Sequence, residues 1–396
     1  MKYILVIDHI ATGGAERILV DYYHHLASNG HSTQVFVLSG HSGQSAWTDG
    51  LNVVYGSDAD EENLFKKTTQ QVSLYFKLQK LVKEEKPDVI FSFLEKSNLL
   101  TRLVKSNAVK VMTVHNVLSI QYIKVKSAAV RKILYAIIRR MYNSCPNVIA
   151  VSKQVKDDLV GAFGVNGRNI KVINNYVDRN EIKRKAREYV TDFNFRQDVK
   201  YVMNIGRFSD QKAQWKLIKA FSLYLKTCAD NNKVHLVLVG RGEHEDNLRQ
   251  LADELGIVGN VTILPFNPNP YKYMVYASLF VLSSIFEGFP IVLAEASSLR
   301  VPFVGSRKAI PEEMFDDSEV WDNCVYDTSS LERDFTTTIH DDERQLAELI
   351  KKGLDNKAFC DAILQSTAKW EGKNDKATQF ELYDGLANRI RQCSHH

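Results

Sequence analysis

The residues best suited to do chemistry lie in one stretch, VLSSIFEGFPIVLAEASSL, residues 281–299. Glu287 and Glu295 stand eight positions apart around a Gly288-Phe289-Pro290 turn. An apolar run at 279–282 fits a short strand before the turn, and a helical pattern begins at Pro290. Proline suits the first helical turn, where the N–H it lacks has no partner anyway. The free N–H groups of that turn, Ile291 included, and the positive end of the helix dipole make a seat for an anion. Gly288 lets a bulky ligand approach the backbone. Glu295 sits among Val292, Leu293, Ala294 and Ala296, where a charge is costly unless something polar meets it. A sugar nucleotide offers hydroxyls to both carboxylates and a diphosphate to the N–H groups. Taken alone, the stretch fits equally well a Glu287 that complements a helix dipole and a Glu295 on a solvent-facing stripe.

The chain around this stretch has 396 residues, enough for two domains of ordinary size. With 44% apolar and 25% charged residues it has the composition of a globular protein. Cys145, Cys228, Cys324, Cys360 and Cys393 are scattered, with no C-x-x-C pair. That spacing argues against a disulfide framework and against a zinc site, and for a reducing compartment. The opening MKYILVID reaches Asp8 too soon for a signal peptide and reads as a first buried strand. No apolar run approaches the length of a membrane span. The expectation is a cytoplasmic protein.

Charge is unevenly spread. Residues 1–178 carry 22 Lys/Arg against 15 Asp/Glu, and between Lys96 and Lys156 there are 12 basic residues and no acid. An anionic partner on the N-terminal half follows.

Short apolar runs alternate with amphipathic helical patterns almost throughout. Strands are expected at 3–7, 34–38, 89–93, 110–114, 148–151 and 171–173, with helices at 15–28, 72–85, 128–142 and 153–163. A charged, weakly periodic segment, 179–199, reads as a linker. The alternation then restarts with strands at 201–205, 234–239, 261–264 and 279–282, and helices at 214–227 and 245–255, with a short one near 271–276. Such alternation predicts parallel, doubly wound sheets. The expected organisation is two Rossmann-like domains, 1–178 and 200–374, facing across a cleft, with a final helix within 375–396 returning to the first.

In open parallel sheets, ligands gather at the carboxyl ends of the strands. Several polar groups of this sequence fall there. Gly13 and Gly14 open the helix after strand 3–7; His115 follows strand 110–114; Gly206, Arg207 and Lys212 follow strand 201–205; Gly240 and Arg241 follow strand 234–239. A glycine pair also makes an ordinary tight turn, a lone histidine is commonly a core residue, and cations are ordinary on surfaces. Their coincidence at one edge of both sheets carries the argument.

These residues, in the motifs TGGAER (12–17), VHN (114–116), AVS (150–152), INNYVD (173–178), NIGRFSDQKAQWKLIKAF (204–221), LVLVGRGE (236–243) and EGFPIVLAEA (287–296), resemble those of family 4 retaining glycosyltransferases. The resemblance spans nearly the whole chain and implies the two-Rossmann-domain (GT-B) architecture. It implies that Glu287 meets the transferred sugar and Glu295 the nucleotide ribose. Arg207 and Lys212 would hold the donor diphosphate, helped by backbone N–H groups around Gly288, Phe289, Pro290 and Ile291. Gly13 and Gly14 would lie near the phosphates, His115 near the reacting carbon, and Pro265 and Phe266 at the base. UDP is the expected nucleotide. Cations and amides aimed at the departing phosphate do the work of a metal, so no cofactor and no divalent ion are expected, and retention needs no enzymic nucleophile. The sequence departs from the family pattern in the loop after Pro302, which usually carries a glycine pair near a small acidic segment and here reads GSRKAIPEE (305–313) with Arg307 and Lys308, at Tyr176 where glycine is usual, and at Asn116 where aspartate is frequent.

The segment AAVRKILYAIIRRMY (128–142) interleaves Arg131, Lys132, Arg139 and Arg140 with Ile133, Leu134, Ile137, Ile138 and Met141, and Lys124 and Lys126 precede it. A basic amphipathic helix can lie on an anionic membrane; it can also pack inward with its charges in water. Since the family binds its acceptor on the N-terminal domain, the acid-free stretch points to a lipid-diphosphate-linked saccharide acceptor. The enzyme would then work peripherally at the cytoplasmic face of the membrane, in surface-polysaccharide assembly. No aromatic-basic module favours nucleic acid.

Three other readings compete. Asp58-Ala59-Asp60 spells a metal-binding Asp-x-Asp, but in an acidic loop without a strand before it. A sugar-nucleotide epimerase shares the fold and would act without an acceptor. A non-catalytic binding module would have lost some of Glu287, Glu295, Arg207 and Lys212.

Overall fold

The computed structural model describes residues 1–10, 13–40, 46–57, 64–123, 125 and 127–393. The chain divides into two compact units, 1–175 with 377–396, and 176–376.

The first unit is built on a seven-stranded sheet of order β3-β2-β1-β4-β5-β6-β7, every described pairing parallel. Its elements run β1 (Lys2–Ile7), α1 (Gly14–Ser28), β2 (Ser32–Val37), β3 (Val53–Tyr55), α2 (Leu64–Glu85), β4 (Val89–Phe93), α3 (Glu95–Leu103), β5 (Val109–Val114), α4 (Leu118–Ile123), α5 (Ala128–Asn143), β6 (Val148–Ala150), α6 (Lys153–Gly161) and β7 (Ile170–Val172). The central strands are continuous apolar runs because helices cover both faces of a parallel sheet. Alternate residues of β1 serve different layers. Ile4 and Val6 pack with Leu74, Leu78 and Val82 of α2 and Leu100 of α3. On β4, Phe91 stands against Tyr22 of α1, ring centroids 5.3 Å apart, and against Tyr383, also at 5.3 Å.

The second unit holds a six-stranded parallel sheet of order β10-β9-β8-β11-β12-β13. It runs α7 (Arg179–Lys185), β8 (Lys200–Ile205), α8 (Gln214–Leu225), β9 (Val234–Gly240), α9 (Glu245–Glu254), β10 (Val261–Pro265), α10 (Tyr271–Met274), β11 (Ala277–Leu282), α11 (Ile291–Ser298), β12 (Phe303–Ser306), α12 (Ser318–Cys324), β13 (Val325–Tyr326), α13 (Asp341–Asp355) and α14 (Lys357–Lys373). Under α8 a charge pair is sealed away: Lys216 Nζ lies 2.6 Å from Asp342 Oδ2, and neither side chain is more than 3% exposed. The chain closes with α15 (Lys376–Cys393). From Ala377 onward this helix belongs to the first unit. There Asp384 accepts from Tyr22 Oη and pairs with His25 Nε2, both at 2.9 Å.

In both sheets the strand order reverses once, between β1 and β4 and between β8 and β11. Loops leaving those neighbouring strands in opposite directions open a crevice at the carboxyl edge, where open α/β sheets bind ligands.

Several expectations need correction. The segment 179–199 is no linker: it starts with the helix α7 and then docks on the second unit. Asp192 accepts from Tyr273 Oη at 2.5 Å, Tyr201 Oη accepts from Arg196 N at 2.8 Å, and Phe195 stacks on Tyr276 at 4.4 Å. Its few aromatic anchors are too sparse to show as periodicity. Helix α3 was not anticipated because its buried side includes Ser97, Asn98 and Thr101, polar residues that a hydrophobic stripe does not register. Pro290 is the N-cap of α11, in extended conformation at φ −77°, ψ 99°, and the helix starts at Ile291.

Candidate active site

The switch point of the second sheet brings two loops together. The loop after β8 carries Gly206, Arg207 and Lys212; the loop after β11 carries Ser283 to Pro290. They are stitched by main-chain and side-chain hydrogen bonds: Ile285 N donates to Gln211 O, and Ser283 Oγ to Lys212 O, both at 2.8 Å. Gln211 Nε2 donates to Phe286 O at 3.0 Å. Ala213, at φ 48°, takes the left-handed turn from this loop into α8. Gly240 at the end of β9 is where the approach is tightest: a Cβ there would lie 2.0 Å from Gly206 O. Any side chain at 240 would push the β8 loop away.

At the centre, Lys212 Nζ lies 2.7 Å from Glu287 Oε1, and Glu287 is only 8% exposed. Glu287 N donates to Lys308 O at 3.2 Å, which fixes the carboxylate's backbone. Arg207 is exposed and has no ion-pair partner among the described residues. Pro290 contributes no side-chain cap to α11. The N–H groups of Ile291 and Val292 at its start, beside the buried Gly288 and Phe289, therefore remain able to meet an anion, while Leu293 N donates to Pro290 O at 3.0 Å. Phe289 is held by stacking on Trp370, centroids 5.4 Å apart.

Glu295 does not join Glu287. It is buried on α11 and accepts from Tyr271 Oη at 2.7 Å. That hydroxyl supplies the polar contact its apolar neighbours cannot. At the next strand end Pro265 and Phe266 are exposed, with the Arg241 guanidinium 5.0 Å from the Phe266 ring centre. Arg307 of the 305–313 loop is engaged elsewhere. Arg307 pairs with Asp322 at 2.5 Å and Asp327 at 3.0 Å and lies over the Trp321 ring at 4.7 Å.

In the first unit, Gly13 is the N-cap of α1 and Gly14 its first residue. A Cβ on Gly13 would lie 2.3 Å from Glu16 Oε2, so the buried Glu16 closes over it. His115 follows β5, buried, with Nε2 2.9 Å from Thr113 Oγ1. Burial pushes its imidazole down to about 4, so it is a neutral hydrogen-bonding group at physiological pH. Helix α5 is half bare. Only Ile138, Met141 and Tyr142 are buried, while Val130, Ile133 and Ile137 are exposed, together with Lys132, Arg139 and Arg140; Arg131 is half-buried. The alternative of a helix packed inward therefore describes its last turns only. Lys124, Lys126 and the Asp58-Ala59-Asp60 loop lie outside the described residues.

The description "Glycosyltransferase Family 4" matches residues 12–181, and "Glycosyl transferases group 1" matches residues 185–365. Together they take in both units and the loops just described. The chain belongs to glycosyltransferase family 4.

This family 4 chain is 29% identical over 304 residues, 75% of it and 80% of the relative, to the N-acetylgalactosamine-N,N'-diacetylbacillosaminyl-diphospho-undecaprenol 4-alpha-N-acetylgalactosaminyltransferase of Campylobacter jejuni. It is 26% identical over 242 residues to an uncharacterized glycosyltransferase of Methanocaldococcus jannaschii, a match that spans 58% of each protein. The crystal structure of Anabaena HepE with UDP and glucose superposes with a TM-score of 0.72 at 19% identity, over 97% of this chain and 98% of that one. That likeness shows the fold, of the GT-B type.

Reading the sequence missed Tyr271 and Gln211, partners that only folding brings to Glu295 and Glu287. It also missed a cluster of Asp210, Glu243 and His244, whose ligand atoms lie within 4.8 Å of one another. His244 Nε2 there lies 2.9 Å from Asp210 Oδ1, and Arg333 stands 3.9 Å from the same oxygen. With a neighbouring cation already serving Asp210, we assign this cluster no metal.

Proposed function

We propose that this glycosyltransferase moves a hexose or N-acetylhexosamine, with retention of configuration and without a metal, from a UDP-sugar to a lipid-diphosphate-linked saccharide. The observation that carries the reading is the Lys212–Glu287 pair at the mouth that also holds the Ile291 and Val292 N–H groups, with Arg207 exposed on the same loop as Lys212 and without an ion-pair partner among the described residues. Breaking the sugar–phosphate bond puts charge on the departing diphosphate. Fixed cations and amides stabilise that charge most where water is scarce. Glu287 takes the hydroxyls of the transferred sugar and Glu295 those of the ribose. Pro265 and Phe266 serve the base, and Gly240 lets the phosphate loop close. His115, neutral, hydrogen-bonds the transferred sugar, and Gly13 and Gly14 serve the phosphates.

Support for the acceptor class and for assembly of surface polysaccharide comes from the relatives. Besides the undecaprenol-linked transferase, they include the lipopolysaccharide core glycosyltransferase LpsE of Rhizobium meliloti, 25% identical over 309 residues, and the O-antigen mannosyltransferase RfbU of Salmonella typhimurium, 25% over 236. The place of action is the cytoplasmic membrane face. No helix among the described residues is long and apolar enough to cross a membrane, so contact would be peripheral. Val130, Ile133 and Ile137 recur at helical spacing on the bare half of α5 beside Arg139 and Arg140, a pattern for lying at an anionic interface.

Two experiments test this. In thermal unfolding with UDP, GDP or ADP at a hundred times the dissociation constant, the correct nucleotide should add about 2.7 kcal/mol. The shift should shrink in Glu295→Gln; no shift with any nucleotide overturns the donor reading. In co-sedimentation, Arg139→Glu with Arg140→Glu should lower binding to phosphatidylglycerol-containing vesicles by about tenfold or more, since each basic residue near such a surface is worth about 1 kcal/mol. The UDP shift should persist. Equal sedimentation of variant and wild type removes the membrane claim.

A further inference from the structure

The first sheet has a switch point of its own, and two acids stand at it. Ile7 pairs with Phe93 across β1 and β4, so Asp8 and Glu95 leave neighbouring strands at the same edge. Asp8 is spoken for: its Oδ1 accepts from Ser97 N at 2.8 Å and from Ser97 Oγ at 2.6 Å, capping the start of α3. Glu95 is different. Leu94, at φ 74°, turns the chain so that Glu95 opens α3, and Glu95 Oε1 is buried without a hydrogen-bond partner. Buried polar atoms normally have partners, and an unmade bond there costs stability. Burial, and then the charge of Asp8, push the Glu95 carboxyl up to about 7. Tyr122 of α4 is pushed up to about 12 by burial and by the charges of Glu95 and Asp8, so its hydroxyl keeps its proton beside them. His115 ends the next strand along. Tyr122 and an unsatisfied acceptor thus stand at the edge where an open sheet takes its ligand, with His115 at the end of the next strand.

We infer that Glu95 Oε1 accepts a hydrogen bond from a hydroxyl or amide N–H of the acceptor saccharide, with Asp8 holding the start of α3 so that Glu95 faces it. The ligand class is a neutral hexose or N-acetylhexosamine ring, and the inference rests on the transferase reading above. Glu95 is a binding residue in this scheme and takes no proton from the reacting hydroxyl. A saccharide gives the buried Oε1 its missing donor, so binding at this position selects rings with a donor there.

The test is saturation-transfer NMR with methyl glycosides of glucose, galactose, mannose, N-acetylglucosamine and N-acetylgalactosamine. Wild type, Glu95→Gln and Glu95→Ala would be compared in the presence of UDP. At least one glycoside should bind wild type, bind Glu95→Ala at least tenfold more weakly, and bind Glu95→Gln to an intermediate degree, because the amide oxygen still accepts. Both variants should melt no lower than wild type at pH 8, since each removes a buried carboxylate with one oxygen unpartnered. Equal glycoside binding by wild type and Glu95→Ala overturns the inference, as does a wild type that binds UDP and none of the glycosides. Failure of the UDP shift with Glu95-dependent glycoside binding intact would instead overturn the donor assignment and leave the saccharide site standing.

Discussion

Lys212→Ala is expected to slow sugar transfer by about 10²–10³-fold, the usual cost of removing one preorganised group that stabilises developing charge. The ammonium sits 2.7 Å from Glu287 before any donor arrives. The lysine stem runs over Gly206, close enough that a Cβ at that glycine would touch Lys212 Cε at 3.7 Å. It therefore needs no rearrangement of the loop to reach a diphosphate bound at the same mouth. The loss should fall on kcat, measured with saturating UDP-sugar and acceptor and with EDTA present throughout, because the charge it meets grows as the bond breaks. Lys212→Arg should recover part of the rate. A loss below tenfold would mean that Arg207 and the α11 amides carry the leaving group without it.

The second large effect is on stability. Asp342→Ala should cost about 3 kcal/mol, because it removes the hydrogen-bonded partner of the buried Lys216 and leaves only Glu343, 3.9 Å away, to meet that charge. Asp342 Oδ1 also accepts from Ser329 N at 3.0 Å, so two elements lose their tie at once. The pH dependence has a definite sign. Burial raises the Asp342 carboxyl, but the hydrogen bonds from Lys216 and Ser329 outweigh it and bring the group below its ordinary 3.8. The pair's contribution is thus fully present above pH 3.8 and fades as pH falls through the lower folded-state value. Urea unfolding at pH 7 and at pH 3 should show wild type and variant far apart at the first and closer at the second. Equal separation at both would contradict the ionic account.

How much of this was legible in the sequence depends on what kind of residue carried each feature. The strands of both sheets announce themselves as apolar runs because parallel strands are buried on both faces. The turn at 287–290 shows through its glycine and proline. Helix α3 stays hidden because its buried side is partly polar, and α7 because the contacts of 179–199 rest on isolated rings. Within the site, Lys212 and Glu287 could be placed at strand mouths, and Glu295 on the helix that follows, from their neighbours alone. That Lys212 and Glu287 neutralise each other across 75 positions, or that Tyr271 serves Glu295 from 24 positions away, depends on how β8, β10 and β11 line up. Local pattern carries no such information. Glu95 escaped notice for the same reason, its meaning being set by what does not reach it.

The Lys212–Glu287 pair also bears on which anions this protein ignores. A cation that already has a counter-ion is a poor target for a lone charge: orthophosphate would have to draw the lysine away and leave Glu287 buried with nothing in return. A sugar nucleotide offers an exchange, phosphate for the lysine and a sugar hydroxyl for the carboxylate, in one event. On the proposed donor reading, the ion pair would act as a two-key lock against the abundant small phosphates of a cell. In the same unfolding assay orthophosphate should then stabilise the protein far less than the complete donor does.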